Sequence, residues 1–259
     1  MNEDNQKKQN NEAGGNGGQP EDQKNEPSLQ NALSSPVSVA AHQMKNPLAI
    51  VRSYLDALIS EDFGPVNLKQ KEYLGDALEN IDRMLKFVSD LLSMTSIDEN
   101  KYKLKIKPTD IVSICSDVIR SLSFWAKASN SNIIFTTPEN FPLVMADPVK
   151  MKEVIENLIT NAIKYKSENS GRVEIILKDM GDEILFECRD NGLGIPDGDK
   201  DKVFSKFYRS EKSLEADPTG SGVGLYIVKA VVDLSGGKIW FEKNKKGGTT
   251  FFIILKTAR

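Results

Sequence analysis

Two heptad stripes separated by a hard break constrain this chain more than any other feature of its sequence. Apolar residues fall at Val37, Ala41, Met44, Leu48, Val51, Leu55 and Leu58, in alternating steps of four and three. That spacing keeps one apolar stripe on one face of a helix. Phe63-Gly64-Pro65 ends the run, and a second stripe follows at Leu74, Leu78, Ile81, Leu85, Val88 and Leu92. Two amphipathic helices joined by a short breaker make a helical hairpin. One hairpin leaves much of its stripe in water, so pairing with a second copy into a dimeric four-helix bundle is expected. Ser35-Pro36 reads as an N-cap followed by a first-turn proline, which would start the first helix. Residues 1–33 are dominated by Asn, Gln, Glu, Lys and Gly. They hold too little apolar surface to offset ordering entropy and are expected to form a disordered tail.

Beyond Asp98-Glu99-Asn100 the periodicity changes. Residues 103–107 alternate as a strand and 109–128 carry a helical pattern. Short strands follow near 132–136 and 143–146, and a helix runs from Pro148 to about Tyr165. Strands at 172–178 and 183–189 flank the turn Asp179-Met180-Gly181-Asp182. A Gly-rich region leads into a helix over 221–234, followed by strands at 238–242 and 249–255. Grouped strands with helices on one face describe an α/β two-layer sandwich. The domain reading is therefore a tail over 1–33, a helical hairpin over 34–98 and an α/β domain over 101–259.

The formal charge of −3 supplies no field to draw in nucleic acid. Cys115 and Cys188 lie far apart, and Cys188 falls in the apolar alternation Ile184, Phe186, Cys188, as a buried thiol in a reducing compartment would. With one histidine and no cysteine pair, a zinc site is not expected. No run approaches the ~20 apolar residues of a membrane helix, and no signal pattern opens the chain. A cytoplasmic chain without membrane insertion is the expectation, either alone or as part of a longer membrane sensor.

Three segments carry chemistry. Asn157, Asn161 and Lys164 are spaced four and three, so they share one face of the helix after Pro148. Amide and ammonium groups on one ridge suit a hydrated Mg²⁺ and the phosphates it bridges, although a plain polar helix face has the same pattern. Asp190-Asn191-Gly192-Leu193-Gly194-Ile195-Pro196 follows an apolar strand. There a carboxylate could accept from an exocyclic amine while the glycines admit a flat ligand. Thr219-Gly220-Ser221-Gly222-Val223-Gly224-Leu225 leads into a helix, and glycine-rich backbone at a helix start gathers N–H groups for phosphate. Between the last two segments lies Val203-Phe204-Ser205-Lys206-Phe207-Tyr208-Arg209 and a polar stretch to Asp217, read as a lid or as an ordinary surface loop.

In this order and spacing the segments resemble the N, first glycine, F and second glycine boxes of the ATP-binding domain shared by histidine kinases, gyrase, a heat-shock chaperone family and the MutL mismatch-repair proteins. The resemblance implies a Bergerat-type ATP-binding fold over residues 101–259, with Asn161 on Mg²⁺ and Asn157, Lys164 and Tyr165 lining the nucleotide site. It places Asp190 on adenine and counts Ile195 among the nucleotide-site residues. It gives Gly192, Gly194, Gly220, Gly222, Gly224 and Leu225 the pocket and lid, with Phe204, Lys206 and Arg209 in the F box and Thr249 in the closing hairpin. Gyrase-like and chaperone-like ATPases carry a water-activating glutamate four residues before the Mg²⁺ asparagine. Here that position is Asn157, which favours the histidine kinase branch.

Ala41-His42-Gln43-Met44-Lys45-Asn46-Pro47-Leu48-Ala49 is similar to that branch's phosphoacceptor helix. His42 follows a stripe residue and should project from the flank, where neutral imidazole is a good nucleophile near pH 7. Pro47 leaves the Gln43 carbonyl without its helical partner, so a bend beside His42 is expected. The family usually has Glu or Asp where Gln43 stands, to orient the ring and take its proton. Asn46 matches the position that orients water for dephosphorylating a partner. The resemblance implies an ATP·Mg²⁺-dependent protein-histidine kinase, a homodimer, that passes its phosphoryl group to a response-regulator aspartate, with phosphatase activity toward that regulator as an added role. A non-catalytic dimeric adaptor, favoured by Gln43, and a hydrolytic ATPase are the rival readings.

Overall fold

The computed structural model describes residues 29–167, 170–244 and 247–258. The hairpin consists of α1 (Leu29–Ile59) and α2 (Leu68–Asp98). Asn67 starts α2 with a reciprocal cap. Its side chain accepts from the Gln70 N–H and the Gln70 side chain accepts from the Asn67 N–H, both at 2.9 Å. Arg52 on α1 meets Asp82 on α2 at 2.7 Å, and Lys71 meets Glu61 at 2.6 Å. Such exposed pairs are screened by water and mainly mark the register. Along the stripes Ala41 and Val88 are buried and Leu48, Leu55, Leu78 and Leu85 are half-buried. Met44, Ile50, Val51 and Tyr54 remain exposed on this single hairpin.

The start of α1 differs from the expected one. The helix begins at Leu29 and contains Pro36, so Ser35 is not its N-cap and residues 29–33 are helical. A proline inside a helix forfeits one backbone bond and keeps a helical φ, so the run passes through it. It likewise continues as α-helix through Pro47. The rest of the expected tail, 1–28, lies outside the described residues.

The α/β part comprises β1 (Lys107–Thr109), α3 (Ile111–Ala128), β2 (Ser131–Thr136), β3 (Val144–Ala146), α4 (Pro148–Lys164), β4 (Gly171–Asp179), β5 (Glu183–Asp190), α5 (Glu211–Ala216), α6 (Gly224–Leu234), β6 (Lys238–Lys243) and β7 (Thr249–Lys256). The main sheet has the order β2-β4-β5-β7-β6, with β2 and β4 parallel and the other pairs antiparallel. Burial alternates along β4: Val173, Ile175 and Leu177 face the core with Ile184, Phe186 and Cys188 of β5. Against that face lie Val154, Ile155, Leu158 and Ile159 of α4 and Ile227, Val228, Val231 and Val232 of α6. Each fully buried side chain of this size contributes about 2 kcal/mol. Both cysteines are buried and unpaired.

Two further boundaries moved, each for a local reason. The strand expected at 103–107 forms at 107–109, where it pairs with β3 through Lys107↔Ala146 and Thr109↔Val144. The Lys105 N–H instead donates to Asp147 Oδ2 at 2.8 Å, while Asp147 Oδ1 caps α4. The helix expected from 221 begins at Gly224, because Gly222 takes a left-handed φ of 68°. The polar stretch ending at Asp217 holds the short helix α5, capped by Ser210.

The hairpin and the α/β part share packing. Met94 of α2 belongs to the same apolar core, and Leu91 and Ile97 pack against it. Asp98 accepts from the Tyr226 hydroxyl of α6 at 2.8 Å and pairs with Lys206 at 2.6 Å. The Lys206 ammonium also stands 5.3 Å from the Tyr226 ring centroid.

Candidate active site

A cavity of about 840 Å³ opens between α4, the turn after β5, the loop before α6 and α2. Asp147 and Pro148 set the start of α4, and its buried face fixes its rotation. Asn157, Thr160, Asn161 and Lys164 are thereby turned into the cavity. At the other end sits Asp190, the last residue of β5. Its Oδ1 accepts from the Gly192 N–H at 2.8 Å and the Thr249 N–H at 3.0 Å. No hydrogen bond to Oδ2 forms among the described residues, so that oxygen remains available to a ligand. Burial pushes the Asp190 carboxyl above the usual range, and the two backbone donors only partly offset it.

The segment from Val203 to Asp217 is tied at its far end. Asp217 pairs with Lys164 at 3.1 Å and accepts from the Thr219 hydroxyl at 2.6 Å and its N–H at 3.0 Å. Burial acts to raise Asp217, but these donors outweigh it and hold the group down at about 2. The Arg209 guanidinium donates to the carbonyls of Ser213, Gly220 and Asp217, clamping α5 to the glycine loop. Gly222 is required there on two counts. Its φ is left-handed, and a Cβ would stand 2.8 Å from the Phe207 backbone.

Residues 32–100 match the model of the His Kinase A (phospho-acceptor) domain, and residues 146–259 match that of the histidine kinase-, DNA gyrase B- and HSP90-like ATPases. The chain is 31% identical over 221 residues to the sensor protein kinase WalK of Staphylococcus saprophyticus, covering 85% of this chain and 36% of that one. It is 26% identical over 219 residues to the circadian input-output histidine kinase CikA of Synechococcus elongatus, covering 84% and 29%. The two domain matches together make this chain a histidine kinase core. The chain thus spans about a third of the length of these curated relatives. The fold also matches a crystal structure of full-length ShkA in complex with AMPPNP. The TM-score is 0.68 at 21% identity, covering 87% of this chain and 46% of that one.

Within this kinase core, Asn157, Asn161, Lys164, Tyr165, Asp190, Gly194, Ile195, Arg209, Gly220, Gly222, Gly224, Leu225 and Thr249 all line the one cavity. Gly192 lies behind it, where a Cβ would meet the Tyr165 carbonyl at 2.2 Å. Phe204 packs against Phe241 and Phe251, at 6.2 and 6.4 Å between ring centroids. Lys206 is engaged with Asp98, so neither Phe204 nor Lys206 reaches the cavity. His42, Gln43 and Asn46 are exposed on α1 and lie outside it.

Sequence reasoning missed Asn244, whose amide donates to the carbonyls of Asp190 at 2.7 Å and Thr249 at 3.2 Å and so fixes the adjoining strand ends. It also missed Asp217. The turn signal Asp217-Pro218-Thr219-Gly220 could have pointed to an aspartate accepting from the backbone two residues on. The wall formed by α2 carries no local signal at all.

Proposed function

We propose that this chain is an ATP-dependent protein-histidine kinase core of a two-component pathway, which phosphorylates its own His42 and passes the group to a response-regulator aspartate. The observation that carries this reading is the convergence of Asn157, Asn161, Lys164, Asp190 and the glycine loop on one cavity, in a chain whose sole histidine is exposed on a neighbouring helix. Adenine fits the Asp190 end, where the free Oδ2 can accept from an exocyclic amine. The triphosphate fits the opposite end, where α6 and its glycine loop begin. Asn161 offers one amide oxygen to Mg²⁺, a donor set that suits an ion keeping several waters and phosphate oxygens. When bound, Mg²⁺ would neutralise phosphate charge.

Arg52 opposite Asp82 sets the hairpin register. Ten residues back along α1 and ten forward along α2, His42 stands about level with Leu92. The α/β part is joined to α2 on both sides of that level, at Asp90 and Asp98. Bringing the cavity to His42 therefore calls for a swing around the bundle rather than a shift along it. In the transfer, one imidazole nitrogen forms a bond to the γ-phosphorus while the β–γ bridging oxygen leaves with ADP. The proton on the other ring nitrogen then departs to solvent, since the Gln43 amide is not a base. Asn157 offers no carboxylate to activate water. The exposed apolar residues of α1 and α2 support pairing with a second copy of the chain, and Asn46 supports a water-orienting role in dephosphorylating the regulator.

Incubation with γ-labelled ATP should give a phosphorylated chain whose label is lost in acid and stable in base. Steady ATP turnover with no labelled protein would overturn the kinase reading.

The raised Asp190 carboxyl gives a pH test. An amine donates well to the ionised form, so ATP affinity is expected to fall on acidification, starting above the range where an exposed aspartate titrates. Stability moves the other way. An acid with a raised folded pKa binds its proton in the folded state first, so over that window folding is favoured as pH falls. Nucleotide titrations of wild type and Asp190→Asn over the acid limb check this. The variant should bind more weakly and lose the dependence.

A further inference from the structure

We propose that α2 of the hairpin is part of the nucleotide site and that Lys86 supplies a cation to the phosphates, which makes nucleotide binding a two-domain event. This rests on reading the cavity as an ATP site and goes beyond it. Asn80, Arg83, Met84, Lys86, Phe87 and Asp90 line one side of the cavity. Four of them, Asn80, Arg83, Phe87 and Asp90, are spaced three, four and three, along a helix face other than the one that Leu85, Val88 and Leu92 turn to the stripe.

Asp90 fixes which end of the ligand this wall meets. The residue is 9% exposed, and its carboxylate lies 3.5 Å from the Ser221 hydroxyl, in the middle of the glycine loop. The Lys86 ammonium stands 3.8 Å from the same carboxylate. Asp90 thus holds Lys86 beside the loop where phosphate would sit.

The charge balance points the same way. A triphosphate brings several negative charges, yet the family-motif cations are already engaged. Arg209 is spent on backbone carbonyls, Lys164 on Asp217 and Lys206 on Asp98. Arg83 is paired with Glu79, and Lys212 belongs to the lid helix α5. Lys86 has a side chain 64% exposed in a long ion pair. It can turn toward phosphate at little cost, and a longer phosphate chain should profit more.

The test titrates the full chain with ATP, ADP and adenosine, in wild type, Lys86→Gln and Lys86→Arg. Lys86→Gln should weaken ATP about fivefold, ADP less and adenosine not at all, with Lys86→Arg restoring ATP binding. Unchanged ATP affinity in Lys86→Gln would overturn the proposal. So would an equal loss for adenosine, which would make Lys86 a packing residue of the wall. A wild-type chain that binds none of the three ligands would instead overturn the reading of the cavity itself. Because Lys86 is exposed, thermal unfolding of both variants should match wild type.

Discussion

His42→Ala is expected to abolish the acid-labile label completely while leaving nucleotide affinity unchanged. His42 is the only histidine in the chain, so no second imidazole can take over. It is exposed on α1 and lines no part of the cavity, so removing the ring disturbs neither the bundle nor the site. Alanine is the best helix former, and the substitution sits well inside α1. The measurement is labelling by γ-labelled ATP beside an ATP titration of the same protein. Label persisting in the variant would place the acceptor elsewhere, and a loss of nucleotide binding would mean that His42 is coupled to the cavity in solution.

Gln43→Glu is expected to raise the rate of autophosphorylation by about tenfold or more. General base groups contribute about 10²–10⁴ to reactions in which a proton must leave. In wild type the side chain beside the acceptor can hydrogen-bond to the ring but cannot hold its proton. A carboxylate there would orient the imidazole and take the proton as the N–P bond forms. Gln43 is exposed, so the exchange of an amide for a carboxylate of the same size leaves packing alone. Initial rates of labelling at saturating ATP check this. An unchanged rate would show that proton loss does not limit transfer, and that the swing of the α/β part to His42 does.

The α4 ridge was legible because a helix carries its own geometry. Once Pro148 and the apolar positions set the rotation, Asn157, Asn161 and Lys164 had to share a face. The Asp190 and Gly222 segments were legible for a related reason: a strand end with glycines and a glycine loop before a helix have few backbone solutions. Phe204 and Lys206 were not legible in the same way. Their motif puts them near the site, but aromatic packing on Phe241 and Phe251 takes one side chain away and an ion pair to Asp98 takes the other. The start of α1 was misread because Ser35-Pro36 carries a start signal that a helix can override at the loss of one hydrogen bond.

By itself, the sequence determined the two heptad stripes, the break between them, the α/β sandwich and the lone histidine beside Gln43. These are local or periodic properties, settled by residues within a turn or two of each other. Only the tertiary structure decided that α2 walls the cavity, that Asp90 reaches the glycine loop 131 residues away and that Asp98 anchors Lys206 and Tyr226. Such contacts join surfaces whose meeting depends on how two packed units dock, and no periodicity in either unit records it.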